Sequence, residues 1–291
     1  MKTARPKEGT GVPRPAASGS RAGSALARLS SPRVIKRFLY SLYTHRLRSK
    51  VALGQMPRHI GVVLDGNRRY ALQNGYAAPA MGHQMGTEKV DELLLWCDRL
   101  EIPVVTLWIL SIDNLARDAH ELEGLFAVVE EGLPRLRDLQ ASLRHARRIK
   151  ASGRIELLPP SLRATVADVE RETAHHGPFL LNIAACYGGR EEIVDAVKDL
   201  LRELGTSGVT AQEAAETVSL QAIERHLYLN GVPDPDLIIR TSGEVRLSGF
   251  MLWQSAYSEY YFCDALWPEF REIDFLRAIR SYQQRRRRHG Q

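Results

Sequence analysis

Four stretches of the chain set carboxylates, amides, glycines and arginines directly behind short apolar runs. Asp65-Gly66-Asn67-Arg68-Arg69 follows the run Ile60 to Leu64. Ser111-Ile112-Asp113-Asn114, with Arg117 close behind, follows Val104 to Leu110. Tyr187-Gly188-Gly189-Arg190 follows Leu180 to Ala185, and Arg240-Thr241-Ser242-Gly243-Glu244, with Arg246 and Ser248, follows Leu237 to Ile239. Arginine offers planar, paired donors that match phosphate oxygens, where lysine offers a point charge. Gly66, Gly188, Gly189 and Gly243 would let backbone N–H groups approach a phosphate, and a helix start after each loop would add its dipole. Asp65 and Glu259 are hard oxygen ligands suited to Mg²⁺, which takes one or two carboxylates and completes its shell with water and phosphate oxygens. The expected ligand is a di- or polyphosphate.

These groups need a frame that brings them to one edge. The apolar runs read as strands, with two more candidates at Arg154 to Leu158 and Tyr257 to Phe262. Between them lie amphipathic stretches of helical spacing: Glu88 to Leu100, Glu121 to Leu136, Leu162 to Thr173, Glu191 to Leu204 and Leu220 to Leu229. Strand and helix in alternation predict an α/β fold, a single domain over residues 56–291 with a central, mainly parallel six-stranded sheet flanked by helices. In such a sheet ligands bind beyond the carboxyl ends of the strands, where all four clusters fall.

The charge of the chain is unevenly spread. Residues 1–55 carry twelve basic side chains against Glu8 alone, so the remainder is net acidic although the whole is +6. A nucleic-acid-binding body is not implied. Residues 1–33, rich in Pro, Gly, Ser and Ala, are expected to be a disordered basic tail. Residues 34–55 are expected to form a basic amphipathic helix, with Val34, Ile35, Phe38, Leu39 and Leu42 at helical spacing; it could lie on an anionic membrane or pack on the body. The charge run Arg144, Arg147, Arg148 and Lys150 reads as an exposed helix end. Three scattered cysteines argue against a disulfide framework, and no apolar run is long enough to cross a membrane. The expected location is cytoplasmic, with peripheral contact at the inner face of the plasma membrane left open. There is no G-x-x-x-x-G-K-[ST] loop, no G-x-G-x-x-G after a strand and no G-x-S-x-G elbow.

Five ordered blocks carry a family resemblance: His59 to Arg69, Asn182 to Arg190, Arg240 to Glu244, Phe250 to Glu259 and Leu266 to Phe270. Together they resemble the cis-prenyltransferase family, whose familiar member is undecaprenyl diphosphate synthase, from about Pro57 to Gly290. The resemblance is stronger for actinobacterial members that stop at (2Z,6E)-farnesyl diphosphate. It implies Mg²⁺-dependent condensation of isopentenyl diphosphate with an allylic diphosphate, geranyl diphosphate favoured, giving a new cis double bond and releasing pyrophosphate. By the same resemblance Asp65 and Asn114 are catalytic, Asn114 in an orienting role. Gly66, Asn67, Arg68, Arg69, Tyr70, His83, Ser111, Ile112, Asp113 and Arg117 surround the allylic substrate. Arg240, Arg246, Leu247 and Ser248 hold isopentenyl diphosphate, and Asp65 and Glu259 hold the metal. The family is commonly homodimeric, and Arg288-His289-Gly290 matches the motif that reaches the partner's isopentenyl site.

Ile109 bears on product length, since its position lines the hydrocarbon tunnel in the family and long-chain synthases carry a small residue there. A branched side chain obstructs a growing tail in a close-packed interior, which implies a short product. Pro79, Tyr70, Asp113, Leu115 and Gly249 depart from the family's usual residues, and Pro79 removes one expected phosphate ligand. The alternatives left open are a long-chain polyprenyl diphosphate synthase and a non-catalytic accessory subunit of the same fold.

Overall fold

Strand β1 (His59–Val63) forms because an apolar five-residue stretch bounded by Pro57 and Asp65 can be buried on both faces, and all five of its residues are buried. The computed structural model describes residues 32–76, 78–208 and 210–289. The expectations for residues 1–31 and for Gly290 lie outside them. The chain divides into two units, residues 1–46 and 47–291. Helix α1 is Pro32–Ala52. In the first unit, Phe38, Leu39, Leu42 and Tyr43 are exposed on it. In the second, Leu47 and Val51 are buried, Arg48 Nη2 lies 2.7 Å from Glu272, and Gln283 Nε2 donates to the Val51 carbonyl at 2.9 Å.

The second unit is built on a six-stranded sheet in the order β3-β4-β2-β1-β5-β6. Its strands are β1, β2 (Val104–Trp108), β3 (Arg148–Ser152), β4 (Leu180–Ala184), β5 (Leu237–Arg240) and β6 (Glu259–Phe262). Every pairing is parallel. Helices α2 (Asn67–Gln73), α3 (Pro79–Arg99), α4 (Ala119–Leu139), α5 (Pro160–Thr173) and α6 (Gly189–Thr206) supply the crossovers, with α7 (Ala211–Thr217) and α8 (Leu220–Glu224) before β5 and α9 (Glu272–His289) at the end. β1 sits between β2 and β5, so the chain winds away from it in both directions. Such a reversal opens a crevice at the carboxyl ends of the strands.

Polar residues inside the sheet are partnered across strands. His59 Nδ1 donates to the Pro233 carbonyl at 2.6 Å and Nε2 meets Thr106 Oγ1 at 2.8 Å, while Asn182 Nδ2 donates to Ser152 Oγ at 2.9 Å. Burial pulls the His59 pKa down to about 4, so at neutral pH Nε2 accepts from the Thr106 hydroxyl.

Two sequence expectations fail here. The third strand is Arg148–Ser152, whereas Ile155–Leu157 is a single 3₁₀ turn. Gly153 separates them at φ 114°, a left-handed conformation where an added Cβ would lie 2.1 Å from the Ala185 carbonyl oxygen. The charge run is accordingly not a helix end. Arg147 is fully buried, its guanidinium 5.2 Å from the Phe179 ring centroid and its Nη1 donating to the Pro103 carbonyl at 2.9 Å.

Candidate active site

The central pair comes from neighbouring strand ends. Arg240, the last residue of β5, is in register with Val63, the last of β1, and Asp65 follows two residues on. Arg240 Nη2 donates to Asp65 Oδ2 at 2.8 Å, and Nη1 donates to Ser248 Oγ at 2.7 Å and to the Arg246 carbonyl at 2.8 Å. The guanidinium is 5% exposed, and its Nε has no partner. Thr241 fixes the loop: its hydroxyl accepts from the Asp65 N–H at 3.0 Å and donates to the Asp65 carbonyl at 2.7 Å. Gly66 turns the chain at φ 107°, with Leu266 Cδ2 only 2.9 Å from where a Cβ would sit.

Close helix packing then seats Asn67 and His83. An added Cβ at Gly82 would lie 2.1 Å from the Asn67 carbonyl oxygen, and one at Gly86 would lie 2.4 Å from Asn67 Oδ1. Only glycine permits this approach of α3 to α2. Asn67 Nδ2 donates to the Leu64 carbonyl at 3.1 Å, leaving Oδ1 buried and unpartnered. His83 is pushed down to about 4, first by burial and then by Arg117, so its imidazole is neutral, with Nε2 unpartnered.

The turn after β2 is a capping box. Asn114 Oδ1 accepts from the Ser111 N–H at 3.1 Å, so the amide nitrogen is the free end of that side chain. Arg117 Nη1 lies 3.2 Å from Glu121 and Arg68 Nη1 lies 3.7 Å from the same carboxylate. Arg69 Nη2 lies 3.4 Å from Glu244, which also pairs with Arg246.

Around these groups is a cleft of about 530 Å³. Asp65, Gly66, Asn67, Arg68, Arg69 and His83 line one side; Ile109, Ser111, Asp113, Asn114 and Arg117 line a second; Arg240, Glu244, Arg246 and Ser248 close it. An apolar cavity of about 60 Å³ shares Leu64, Asn67, His83, Ile109 and Leu125 with the cleft and runs on between α3 and α4. Ile109 thus stands where the polar cleft meets the apolar cavity.

Several expected residues are not brought to the cleft. Gly189 donates its N–H to the Gly249 carbonyl at 2.9 Å and Gly243 donates to the Cys263 carbonyl at 2.9 Å, so neither amide is open to a phosphate. Gly188 does not line the cleft either: an added Cβ there would meet Glu191 and Ile112, and these glycines serve packing. Ile112 donates its backbone N–H to the Tyr187 carbonyl, Tyr70 packs toward Tyr76 with ring centroids 6.3 Å apart, and Leu247 is 41% exposed; none of the three lines the cleft. Glu259 opens β6 opposite Leu237, at the far end of β5 from Arg240, and its carboxylate takes Arg285 Nη1 at 2.9 Å. In parallel strands that is the amino edge, so one chain does not join Glu259 to Asp65. The side chain of Arg288 and all of Gly290 lie outside the described residues.

Sequence reasoning placed Thr241 and Glu244 in a strand-end cluster but missed the bracing role of the Thr241 hydroxyl and the pairing of Glu244 and Glu121 with the arginines. It also missed a buried carboxylate, Glu192, which accepts from Tyr187 OH, from Gln254 Nε2 at 3.0 Å and from the Tyr228 N–H at 3.0 Å. The Tyr187 hydroxyl also accepts from the Met251 N–H at 3.1 Å, holding the segment that follows Ser248.

With this geometry in place, known proteins decide the family. Residues 63–290 match the family model described as "Putative undecaprenyl diphosphate synthase". The chain belongs to that family. It is 51% identical over 256 residues to an isoprenyl transferase of Thermus thermophilus, covering 88% of this chain and 97% of the relative. It is likewise 51% identical over 252 residues to the (2Z,6E)-farnesyl diphosphate synthase of Thermobifida fusca, covering 87% and 97%. A crystal structure of lavandulyl diphosphate synthase from Lavandula x intermedia, in complex with dimethylallyl diphosphate, superposes with a TM-score of 0.73 at 30% identity, covering 78% of this chain and 95% of that one. As a family member the chain is a prenyltransferase, an enzyme of isoprenoid chain elongation. No helix among the described residues is long and apolar enough to cross a membrane.

Proposed function

We propose that the chain condenses isopentenyl diphosphate with an allylic diphosphate, geranyl diphosphate favoured, into a short-chain Z-prenyl diphosphate with release of pyrophosphate and with Mg²⁺ as its cofactor. The observation that carries this reading is the continuity of an arginine-lined cleft of about 530 Å³ with an apolar cavity of only about 60 Å³ behind Ile109. An engineered cavity of about 150 Å³ holds one benzene. A space smaller than half of that favours a short hydrocarbon over a polyprenyl chain.

Arg68, Arg69 and Arg117 line the cleft from the segments that also carry Asn67 and Asn114 and would take the allylic diphosphate. Arg240, Arg246 and Ser248 would take that of isopentenyl diphosphate. Negative charge grows on the departing oxygens, so donors already fixed in place favour the transition state over the ground state. Asn114, its carbonyl oxygen engaged by Ser111, orients substrate through its amide nitrogen, and the proton lost on forming the double bond passes to phosphate or water. Asp65, a cleft carboxylate beside room for two diphosphates, suits Mg²⁺, and no cage of three His, Cys, Asp or Glu exists among the described residues. Bound there, the ion would offset charge on the leaving diphosphate.

The test incubates purified protein with Mg²⁺, labelled isopentenyl diphosphate and dimethylallyl, geranyl or (E,E)-farnesyl diphosphate, then sizes the dephosphorylated products. A single farnesyl-length product from geranyl diphosphate, absent in Asp65→Ala, is expected. Long polyprenols overturn the short product; no product from any primer overturns catalysis in favour of an accessory subunit. The reading extends to a homodimer in which Arg288 and Gly290 complete a partner's isopentenyl site, checked by sedimentation and by activity loss in Arg288→Ala. It extends also to contact of the exposed face of α1 with anionic lipid, checked by co-pelleting with phosphatidylglycerol vesicles and not with neutral ones.

A further inference from the structure

The far end of the apolar cavity is closed by charge. Its walls are Val90, Leu107, Val128, Leu133, Leu136 and Ile183, contributed by α3, α4, β2 and β4, yet Arg135 lines it as well. Arg135 Nη2 lies 3.4 Å from Asp91 Oδ1 on α3. Arg135 Nε and Nη2 and Asp91 Oδ1 are buried and make no hydrogen bond. A staple between two surface helices would leave these atoms to water. Here these atoms are shielded from water and lie beside a hydrocarbon-lined space, although the side chains as a whole are 38% and 26% exposed.

We infer that the Asp91–Arg135 ion pair is the floor of the hydrocarbon pocket and sets the length at which the product stops. The spacing along both helices agrees. His83 and Leu125 mark the junction with the cleft; Asp91 and Arg135 lie eight and ten residues further along α3 and α4. At the α-helical rise these separations are about 12 and 15 Å. An extended isoprene unit, four skeletal carbons at ordinary single-bond lengths, spans on the order of 5 Å. The distance from junction to floor therefore matches two to three extended units, and the side chains lining the cavity of about 60 Å³ must move apart to admit them. A longer chain would have to part the ion pair, and the shielded Asp91 Oδ1 and Arg135 Nη2 would lose the partner that offsets their burial. Ile109 at the entrance narrows the passage; Asp91 and Arg135 end it.

This inference rests on the short-chain reading above, and the experiment separates the two. Full-length wild type, Asp91→Asn/Arg135→Met, Arg135→Gln and Arg135→Lys are given geranyl diphosphate and excess labelled isopentenyl diphosphate with Mg²⁺, after thermal unfolding has confirmed that each is folded. Wild type is expected to stop at fifteen carbons. The neutral double variant is expected to raise the share of products of twenty carbons and more at least tenfold, with the single-turnover rate of the first condensation within twofold of wild type. Arg135→Gln, which leaves Asp91 a hydrogen-bond donor but no opposite charge, is expected to lengthen products too, and Arg135→Lys, which keeps the charge, to retain the wild-type stop. Wild-type product lengths in a folded neutral variant overturn the floor and leave the pair as a helix staple. No product, or long polyprenols, from wild type itself overturns the short-chain reading and the floor with it.

Discussion

Two polar regions stand side by side at the carboxyl edge of the sheet, and they are finished to different degrees. The Glu192 carboxylate is complete: three donors reach it, it is 1% exposed, and it does not line the cleft. The cleft next door is provisional. Arg69, Arg246, Arg117 and Arg68 are held by two carboxylates, Glu244 and Glu121, each shared between two guanidinium groups at the edge of solvent. The same contrast separates two histidines that burial pulls down to about 4: both ring nitrogens of His59 are engaged, whereas Nε2 of His83 is not. Closed networks hold the frame, and unfinished ones wait for a ligand.

The largest effect should come from the one carboxylate that belongs to both descriptions. Asp65 is braced by Thr241 and Arg240 yet faces the cleft. Asp65→Asn can still accept from Arg240, so the fold should persist while turnover falls about 10³-fold, the scale on which loss of one electrostatic contributor to a transition state is measured. Steady-state kinetics beside a chemical denaturation curve check this. Equal loss of activity and stability would mean that Asp65 serves the frame alone.

Next in size is Glu192→Ala, which strands the Tyr187 hydroxyl, the Tyr228 N–H and the Gln254 amide in the interior. Unsatisfied buried donors should lower stability by about 3 kcal/mol, read from the urea midpoint, with kcat per folded molecule changed far less than in the Asp65 variant. Acid should expose the frame in the same way. His59 titrates near 4 when folded and at 6.5 when unfolded, so its contribution is whole above pH 6.5, is lost as pH falls from 6.5 to 4, and is level below. The loss is on the order of 3 kcal/mol for a shift of this size. His59→Gln should about halve the slope over that stretch of the stability profile, the remainder coming from His83, which is lowered alike; an unchanged profile would assign the acid sensitivity to other groups.

How much of this was visible in the residues follows from the same contrast. The cleft was legible because a parallel sheet must present its loops at one edge, and Asp65, Asn67, Arg69, Asn114, Arg240 and Arg246 all follow apolar runs. The edge strand Arg148–Ser152 was hidden because Arg148 and Lys150 occupy half-solvated positions that break the apolar signal. The first turns of α3 were hidden because Gly82 and Gly86, which let Asn67 approach closely, carry no apolar side chain to mark the buried face. Glycines after β4 looked like a phosphate cradle, since glycine for close packing and glycine for an anion have the same letters. Glu259 sat in a matching block, but only strand register reveals at which edge it lies. Pairs such as Glu244 with Arg69, or Asp91 with Arg135, lie too far apart in sequence for spacing to announce them.

The smallest predicted effect is the most discriminating, because it has the opposite sign. Glu244 holds Arg69 on one side of the cleft and Arg246 on the other, with the Arg69 contact at 3.4 Å. An incoming diphosphate must displace it and must also approach its negative charge. Partly exposed pairs of this kind are worth up to about 1 kcal/mol, so little stability depends on Glu244. Glu244→Gln should bind inorganic pyrophosphate several-fold more tightly, with titration calorimetry as the readout, while its unfolding midpoint stays near wild type. Weaker binding would show that Glu244 positions the two arginines for the anion instead of standing in for it. The cleft would then be a pre-organised site of the same finished kind as the Glu192 network, and the distinction between the two regions would rest on exposure alone.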